Sequence, residues 1–214
     1  MSVSIAVIDY GAGNLRSIRR ALEAAGAHVT VTSDCEDVRH ADAVVFPGVG
    51  AAGAAMDRLR QLGLVDVIGE VVAEGRPFLG ICLGMQLLFE HQEEGDTRGL
   101  GLLKGRVRTL GPEVKVPQIG WNRVRWIQEA AGYHPAEEDD FYFVHSYVIE
   151  PDDPADIVAI TRYGEVFPSI VRHGGVSGTQ FHPEKSGPAG LRLIGGWVDG
   201  VQAIARDKLV RVPA

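Results

Sequence analysis

The sequence has little cysteine, no long hydrophobic run and no concentration of basic residues. Its 214 residues contain only two cysteines, Cys35 and Cys82, which lie far apart in segments of different pattern. A disulfide framework is therefore not indicated, and the reducing cytoplasm is the expected location. No apolar stretch approaches the roughly 18 residues of a membrane span, and the N-terminus has no signal-peptide pattern. We expect a soluble, unprocessed protein.

The charge pattern excludes some classes of partner. The net charge is -7, and the 21 lysines and arginines are scattered along the chain, so nucleic acid and anionic membrane surfaces are not expected partners. A hydrophobic content of 45% with 23% charged residues is typical of a chain that buries a core. We expect one domain over residues 1–214 that binds a small molecule or a protein.

The first half of the chain alternates strand and helix patterns. Buried strands are predicted at Val3–Ile8, His28–Thr32 and Ala43–Phe46, with helices after the first and after the third, the latter at about 54–72. This alternation predicts an α/β fold with a central, mainly parallel sheet and helices on both faces. A dinucleotide-binding turn is not predicted, because Arg16 stands where the third glycine of the Gly-x-Gly-x-x-Gly pattern would fall.

The second half has a different pattern. Short alternating segments, among them 106–110, 114–116 and 122–127, predict antiparallel strands appended to one edge of the sheet. The acidic run 137–140 is predicted to be a solvated loop. An aromatic strand follows at 141–148, and a helix closes the chain.

The stretch from Phe78 to Gln86 has the pattern of a nucleophile elbow. An apolar strand ends at Cys82, glycines stand two positions before and after it, and a helical pattern follows. In such a turn the nucleophile adopts a strained backbone conformation, and the glycines let neighbouring backbone pass without a Cβ clash. At a helix N-terminus the thiolate would be favoured over the thiol. The alternative is a small buried hydrophobic cysteine.

A second stretch supplies the partners that a cysteine nucleophile needs. His182 and Glu184 follow a predicted strand, and in an extended segment both side chains would project to the same side. The glutamate would orient the imidazole, and the imidazole would take the proton of Cys82. His145 is the competing base, but no carboxylate lies near it in strand register. We predict the triad Cys82, His182 and Glu184.

Backbone N-H groups near Cys82 are candidates for an oxyanion hole. The loop that follows the third strand, Pro47 to Gly53, ends at the same sheet edge as Cys82. Val49 and Leu83 are the predicted donors to a tetrahedral oxyanion. An ordinary turn between strand and helix is the alternative for this loop.

These motifs together resemble a known family. The stretch 80–86 with Phe181-His182-Pro183-Glu184 resembles the class I (triad) glutamine amidotransferases. More narrowly, the stretches 47–50, 117–122, 143–147 and 178–186 are similar to the glutaminase subunits of imidazole glycerol phosphate synthases. The similarity runs from Val3 to about Val201.

The resemblance implies a function and a set of contacts. Glutamine would be hydrolysed to glutamate and ammonia through a cysteinyl thioester, without metal or cofactor. A (β/α)8-barrel cyclase subunit would take the ammonia in a heterodimer and make imidazole glycerol phosphate and an aminoimidazole carboxamide ribonucleotide in histidine biosynthesis. Family motifs assign glutamine binding to Gly48, Gly50, Gln86, His145, Ser146 and Tyr147. They assign the partner interface to Asn14, Pro117, Gln118, Trp121, Asn122, Tyr142 and Lys185. By its residue type alone, Trp121 is either a core residue, which is the commoner case, or an anchor in a partner interface.

Three other functions stay open at this point. A glutaminase that serves another synthase, such as those for anthranilate or pyridoxal phosphate, is disfavoured by the stretches 117–122 and 145–147. A binding module without catalysis is disfavoured by the intact Cys82, His182 and Glu184. A cysteine peptidase of related architecture is the third alternative.

Overall fold

The chain folds around one large sheet with a smaller sheet beside it. The structure is a computed structural model that describes residues 2–134 and 136–210, so residues 1, 135 and 211–214 of the predicted domain lie outside the described residues. Within these ranges the α-helices are α1 Leu15–Ala24, α2 Cys35–His40, α3 Ala52–Gln61, α4 Leu64–Ala73, α5 Leu83–Gln86 and α6 Gly187–Val210. None of them is long and apolar enough to cross a membrane.

The strands divide between the two sheets. In chain order they are β1 Ser4–Ile8, β2 His28–Thr32, β3 Ala43–Gly48, β4 Phe78–Cys82, β5 Phe89–Gln92, β6 Thr97–Arg98, β7 Leu103–Thr109, β8 Gln118–Trp126, β9 Glu138–His145, β10 Tyr147–Pro151, β11 Ile157–Tyr163, β12 Glu165–His173 and β13 Val176–Thr179. The large sheet has the order β2-β1-β3-β4-β13-β12-β11-β8-β9, and the small sheet has the order β10-β7-β5-β6.

The large sheet is parallel on one side and antiparallel on the other. Strands β2, β1, β3, β4 and β13 pair in parallel, and β12, β11, β8 and β9 continue as an antiparallel edge. The predicted fold class is therefore confirmed. Parallel strands place their carboxyl ends at one edge, so β3, β4 and β13 end close together, and Gly48 stands opposite Cys82 in the β3–β4 register.

Apolar residues cover both faces of the parallel half. One cluster of buried side chains lies among α2, α3, α4 and the small sheet, and it includes Phe46, Leu59, Ile68 and Leu88. A second cluster packs α1 and α6 on the opposite face, where Ile18 and Ile194 are fully buried. Burial on both faces explains why β1, β3 and β4 read as continuous apolar runs.

Several predicted elements differ from the structure. The single helix expected at 54–72 is two helices, because Gly63 adopts a left-handed conformation with φ 71° between α3 and α4. Residues 114–116 are not a strand. The acidic residues 138–140 were predicted as a loop but belong to β9, where Asp140 stands opposite Arg123 and Glu138 opposite Arg125. Cross-strand charge pairs of this kind favour strand pairing over a solvated loop.

Candidate active site

Cys82 stands at a strained turn between β4 and α5. Its φ and ψ are 55° and -114°, a conformation that is costly for a residue with a Cβ. Such strain persists only where the surrounding structure enforces it, and it is the predicted property of a nucleophile elbow. The turn carries the side chain from the parallel sheet into a cavity at the carboxyl ends of the strands.

The two glycines that flank Cys82 are required by close backbone packing. A Cβ at Gly80 would lie 2.8 Å from the Gly84 carbonyl oxygen, and a Cβ at Gly84 would overlap the carbonyl oxygen of Phe46. Gly48 is held in the same way, because its Cβ would overlap the Gly84 nitrogen. The steric role predicted for the flanking glycines is confirmed.

The helix after Cys82 is much shorter than its sequence pattern predicts. Helix α5 has 4 residues, and the chain then enters β5. Leu87, Leu88 and Phe89 are all fully buried. Three consecutive buried residues do not form the single apolar face that a longer amphipathic helix would have. A single turn aligns few peptide dipoles, and the predicted stabilisation of a thiolate by the helix N-terminus is correspondingly weak.

His182 and Glu184 form a buried pair behind Cys82. The ring Nδ1 lies 2.9 Å from Glu184 Oε1, and the two side chains are 3% and 1% exposed. The geometry differs from the predicted extended segment. His182 is extended, whereas Glu184 belongs to a 3-10 turn over Pro183–Lys185 that brings its carboxylate back to the ring.

The electrostatics of His182 favour its charged form. Burial opposes protonation, but the neighbouring Cys82 sulfur and the Glu184 carboxylate outweigh burial and raise the pKa of His182 to about 9. The ring Nε2 is buried without a hydrogen bond of standard geometry, but hydrogen bonding to Cys82 as well as its charge contributes to the raised pKa of His182. Catalytic hydrogen bonds are often long before substrate binds. The arrangement therefore favours a protonated His182 ring beside Cys82.

Cys82 opens onto a cavity of about 330 Å³. The residues that line it are Val49, Gly50, Cys82, Leu83, Gln86, Glu94, Pro117, Val144, His145, Ser146 and Tyr147. All predicted glutamine-binding residues except Gly48 are among them, whereas His182 and Glu184 do not line the cavity. A second, largely apolar cavity of about 240 Å³ between α6 and the sheet contains none of the predicted site residues.

Glu94 was not singled out from the sequence, although it lines this cavity. Its Oε2 accepts a hydrogen bond of 2.7 Å from the backbone N-H of Ala52, the first residue of α3. The carboxylate supplies a negative charge that a bound ammonium group would meet. Its acidic neighbours in sequence gave no signal that distinguished it from a solvated side chain.

His145 supports the cavity wall from inside. It is 5% exposed, its Nδ1 lies 2.8 Å from the Tyr147 carbonyl oxygen, and its Nε2 lies 3.0 Å from Gln118 Oε1. Burial lowers the pKa of His145 to about 4, more than the Tyr147 carbonyl raises it. The neutral ring has one N-H, which the Tyr147 carbonyl accepts, so a neutral His145 requires the Gln118 amide to turn over and present its NH2, in place of Oε1, to Nε2.

The predicted oxyanion donors differ in their surroundings. The Val49 N-H donates to the Tyr10 hydroxyl at 3.0 Å, and that hydroxyl donates to the Val49 carbonyl at 3.1 Å. Tyr10 therefore holds the backbone of Val49 through both its N-H and its carbonyl, and the Val49 N-H is not directed at Cys82. Leu83 directly follows Cys82 at the start of α5, where the first N-H groups have no intrahelical acceptor.

The predicted interface residues divide into exposed and buried groups. Trp121 is 59% exposed, and its ring lies 6.2 Å from that of Tyr142, over which the Lys185 ammonium stands at 6.0 Å. Ile119, at 64% exposed, continues this apolar strip along β8. Gln118 is only 2% exposed, and its side chain is hydrogen-bonded to His145, so it is part of the interior. Pro117 is exposed, and Asn14 and Asn122 are partly exposed.

Among the residues that the structure describes, no group of three or more histidine, cysteine, aspartate or glutamate side chains is arranged to hold a metal ion.

Comparison with known proteins gives a consistent family. Residues 6–195 match the model of the family described as glutamine amidotransferase class-I. The imidazole glycerol phosphate synthase subunit HisH of Aquifex aeolicus is 50% identical over 191 residues, which cover 88% of this chain and 92% of the relative. The subunit of the same name from Oceanobacillus iheyensis is 45% identical over 192 residues, which cover 89% and 96%.

Solved structures show the same fold at lower identity. A crystal structure of a glutamine amidotransferase superposes with a TM-score of 0.74 at 20% identity and covers 92% of this chain and 98% of its own. The structure of PurLQS from Thermotoga maritima superposes with a TM-score of 0.72 at 18% identity and covers 94% and 100%.

Proposed function

Because the chain belongs to the class-I glutamine amidotransferase family, we propose that Cys82, His182 and Glu184 are the groups that hydrolyse glutamine. The function is that of the glutaminase subunit of imidazole glycerol phosphate synthase in histidine biosynthesis. The observation that carries the residue assignment is the strained Cys82 at the cavity, with the buried His182–Glu184 pair behind it.

The proposed reaction begins with proton transfer from Cys82 to His182. The thiolate attacks the side-chain amide carbon of glutamine, and the carbonyl oxygen becomes an oxyanion next to the Leu83 N-H. His182 then gives its proton to the leaving nitrogen, ammonia departs and a thioester remains. Water, deprotonated by His182, attacks the thioester, glutamate is released, and the proton returns to the sulfur. Glu184 keeps the imidazole oriented and stabilises its charged form.

The cavity walls support a binding mode for the α-amino acid end of glutamine. Both hydrogens of the Gln86 Nε2 group are already used, by the Tyr147 carbonyl and the Gln180 Oε1, each at 3.1 Å. Gln86 can therefore offer a ligand only its acceptor Oε1. Together with the Glu94 carboxylate, this acceptor suits an α-ammonium group. We assign the α-carboxylate to the Gly50 turn and the Ser146–Tyr147 segment.

The fate of the ammonia supports a synthase partner at the same edge. Ammonia in neutral water is protonated and loses its nucleophilicity, so the product must pass directly to an acceptor site. We propose that this chain forms a heterodimer in the cytoplasm with a (β/α)8-barrel cyclase. Residues 1–214 would act as one glutaminase domain, with Trp121, Tyr142, Lys185, Asn14, Pro117 and Asn122 at the interface. The exposed apolar strip on β8, formed by Ile119 and Trp121, supports this assignment. Contiguous exposed apolar side chains often mark an interaction surface.

The test is glutamate release from glutamine by this chain, alone and with the cyclase subunit and its nucleotide substrate. We expect strong stimulation by the partner and no release by Cys82→Ser under either condition. Labelling of Cys82 by an electrophilic glutamine analogue should be blocked by free glutamine, which would not protect a peptidase. If the rate of glutamate release does not change when the cyclase is added, the proposed chemistry stands and the proposed partner is wrong.

Trp121→Ala should weaken complex formation without changing the fold. Loss of a large exposed anchor typically reduces affinity by about tenfold or more, which calorimetric titration with the cyclase would measure. Val166→Ala is a matched control, because Val166 is also an exposed apolar residue, at 46%, on β12. Unchanged affinity of a folded Trp121→Ala variant would remove Trp121 from the interface.

A further inference from the structure

Gln180 is a fully buried polar side chain next to the nucleophile. It follows β13, is 0% exposed, and its Nε2 lies 3.8 Å from Cys82 Sγ. The Val144 carbonyl oxygen also lies 3.8 Å from the sulfur. That carbonyl can accept a hydrogen bond from a thiol, but it repels a thiolate. The sulfur therefore needs a fixed donor when it carries charge.

A chain of hydrogen bonds fixes which end of the Gln180 amide faces the sulfur. The Tyr147 carbonyl can only accept, so the group of Gln86 that lies 3.1 Å from it is the NH2. The second hydrogen of this NH2 is donated to Gln180 at 3.1 Å, which must accept it with Oε1. The NH2 of Gln180 is consequently turned toward Cys82.

We propose that Gln180 is a catalytic residue that donates an amide hydrogen to the Cys82 thiolate. The proposal rests on the proposed function, since it assigns a further role in the same glutaminase site. The donor is preorganised and shielded from water, where a hydrogen bond to a charged sulfur is stronger than in solvent. It acts twice, because the sulfur is negative before it attacks glutamine and again as the thioester breaks. The proton of Cys82 still goes to His182.

The test is the pH dependence of Cys82 alkylation by iodoacetamide in Gln180→Met. Methionine has nearly the same length but no donor. The Cys82 peptide is followed by mass spectrometry, which separates it from Cys35. We expect the midpoint of the alkylation profile to rise by about one pH unit. Glutamate release at neutral pH in the complex with the cyclase should fall by about tenfold and recover as the pH is raised.

Gln92→Met is the matched control. Gln92 is also buried, at 1% exposed, and its Nε2 donates to the Gln86 backbone carbonyl at 2.8 Å, but it does not contact the sulfur. Its alkylation midpoint should stay at the wild-type value. A midpoint that is unchanged in folded Gln180→Met, or one that moves equally in both variants, overturns the proposal.

A second measurement does not depend on the folding of a Gln180 variant. In the wild-type chain, the side-chain amide resonance of Gln180 should shift with pH in parallel with Cys82 alkylation, and this shift should be absent in Cys82→Ser. An amide that does not respond overturns the proposal. A failure of the proposed function would look different. The wild-type protein would then show these shifts but release no glutamate in the presence of the cyclase.

Discussion

His145 should make the fold sensitive to acid. The ring is buried where the chain leaves β9 for β10, and so passes from the large sheet to the small one. Its two nitrogens are occupied by the Tyr147 carbonyl and the Gln118 amide. A proton on Nε2 would have to replace the hydrogen bond that this nitrogen accepts, and it would place a charge in the interior near His182.

The size of the effect follows from the pKa of His145, which burial lowers from its ordinary value of 6.5 to about 4. Between these two pH values the unfolded chain binds a proton that the folded chain does not, so stability is lost as the pH falls from 6.5 toward 4. The difference corresponds to about 3 kcal/mol of unfolding free energy at pH 4. Above pH 6.5 this contribution is fully present.

Urea unfolding from pH 4 to pH 8 would measure this effect, with His145→Gln as the reference. Glutamine cannot titrate, so the difference in unfolding free energy between wild type and variant isolates His145 from the acidic residues that titrate in both. We expect the wild-type advantage to shrink by about 3 kcal/mol as the pH falls from 8 to 4. A difference that is constant across this range would refute the buried neutral histidine.

Three further predictions concern the nucleophile and its neighbours. Glu184→Gln removes a charge that helps to raise the pKa of His182 to about 9. The alkaline limb of the kcat/KM profile, where the imidazolium deprotonates, should therefore move to lower pH by about one unit, and an unmoved limb would contradict the pairing. Tyr10→Phe removes the hydrogen bonds that hold the Val49 N-H and the Val49 carbonyl. Glutamate release by the isolated chain should therefore rise by about tenfold as the Val49 N-H becomes an oxyanion donor. An unchanged rate would remove Val49 from that role. Gly84→Ala forces a Cβ against the Phe46 carbonyl and should lower the free energy of unfolding by about 3 kcal/mol or prevent folding. The control is Gly69→Ala in α4, where the new Cβ has open space around it. In the same urea titration this control should raise the free energy of unfolding by about 1 kcal/mol.

The parts of the fold that could be predicted from sequence are those in which local pattern and tertiary packing agree. The apolar run of β4 is buried on both faces, and the glycines around Cys82 have a steric reason that is visible in the spacing itself. The acidic residues 138–140 were misassigned because their partners, Arg123 and Arg125, lie on a strand that only the tertiary structure brings beside them. In a sequence, a run of charged residues with no evident partner predicts a loop.

The site was predictable only where a residue type carries its own chemistry. Cysteine, histidine and glutamate at strand ends suggest a triad, but Gln180 is a single amide in a strand pattern, and nothing in its neighbours points to Cys82. The available signal for Gln180 was its position in a strand pattern between Thr179 and Phe181, which the structure shows to be nearly and fully buried. Such a residue must find a hydrogen-bond partner in the interior. Tyr10 was missed for a similar reason, since its contact with Val49 joins residues that are 39 positions apart.

The short length of α5 changes where the stabilisation of charge at Cys82 has to come from. A long helix would supply a positive end to the sulfur through many aligned peptide units, but 4 residues supply little of this field. The nearby Val144 carbonyl opposes a thiolate. The remaining sources are buried side chains: the His182 imidazolium, held by Glu184, and the Gln180 amide, held by Gln86. Because Gln86 also contacts the Tyr147 carbonyl on the cavity wall, a shift of that wall would be felt at the sulfur. We therefore expect reactivity at Cys82 to depend on the position of the 145–147 segment, even though none of its side chains takes part in proton transfer.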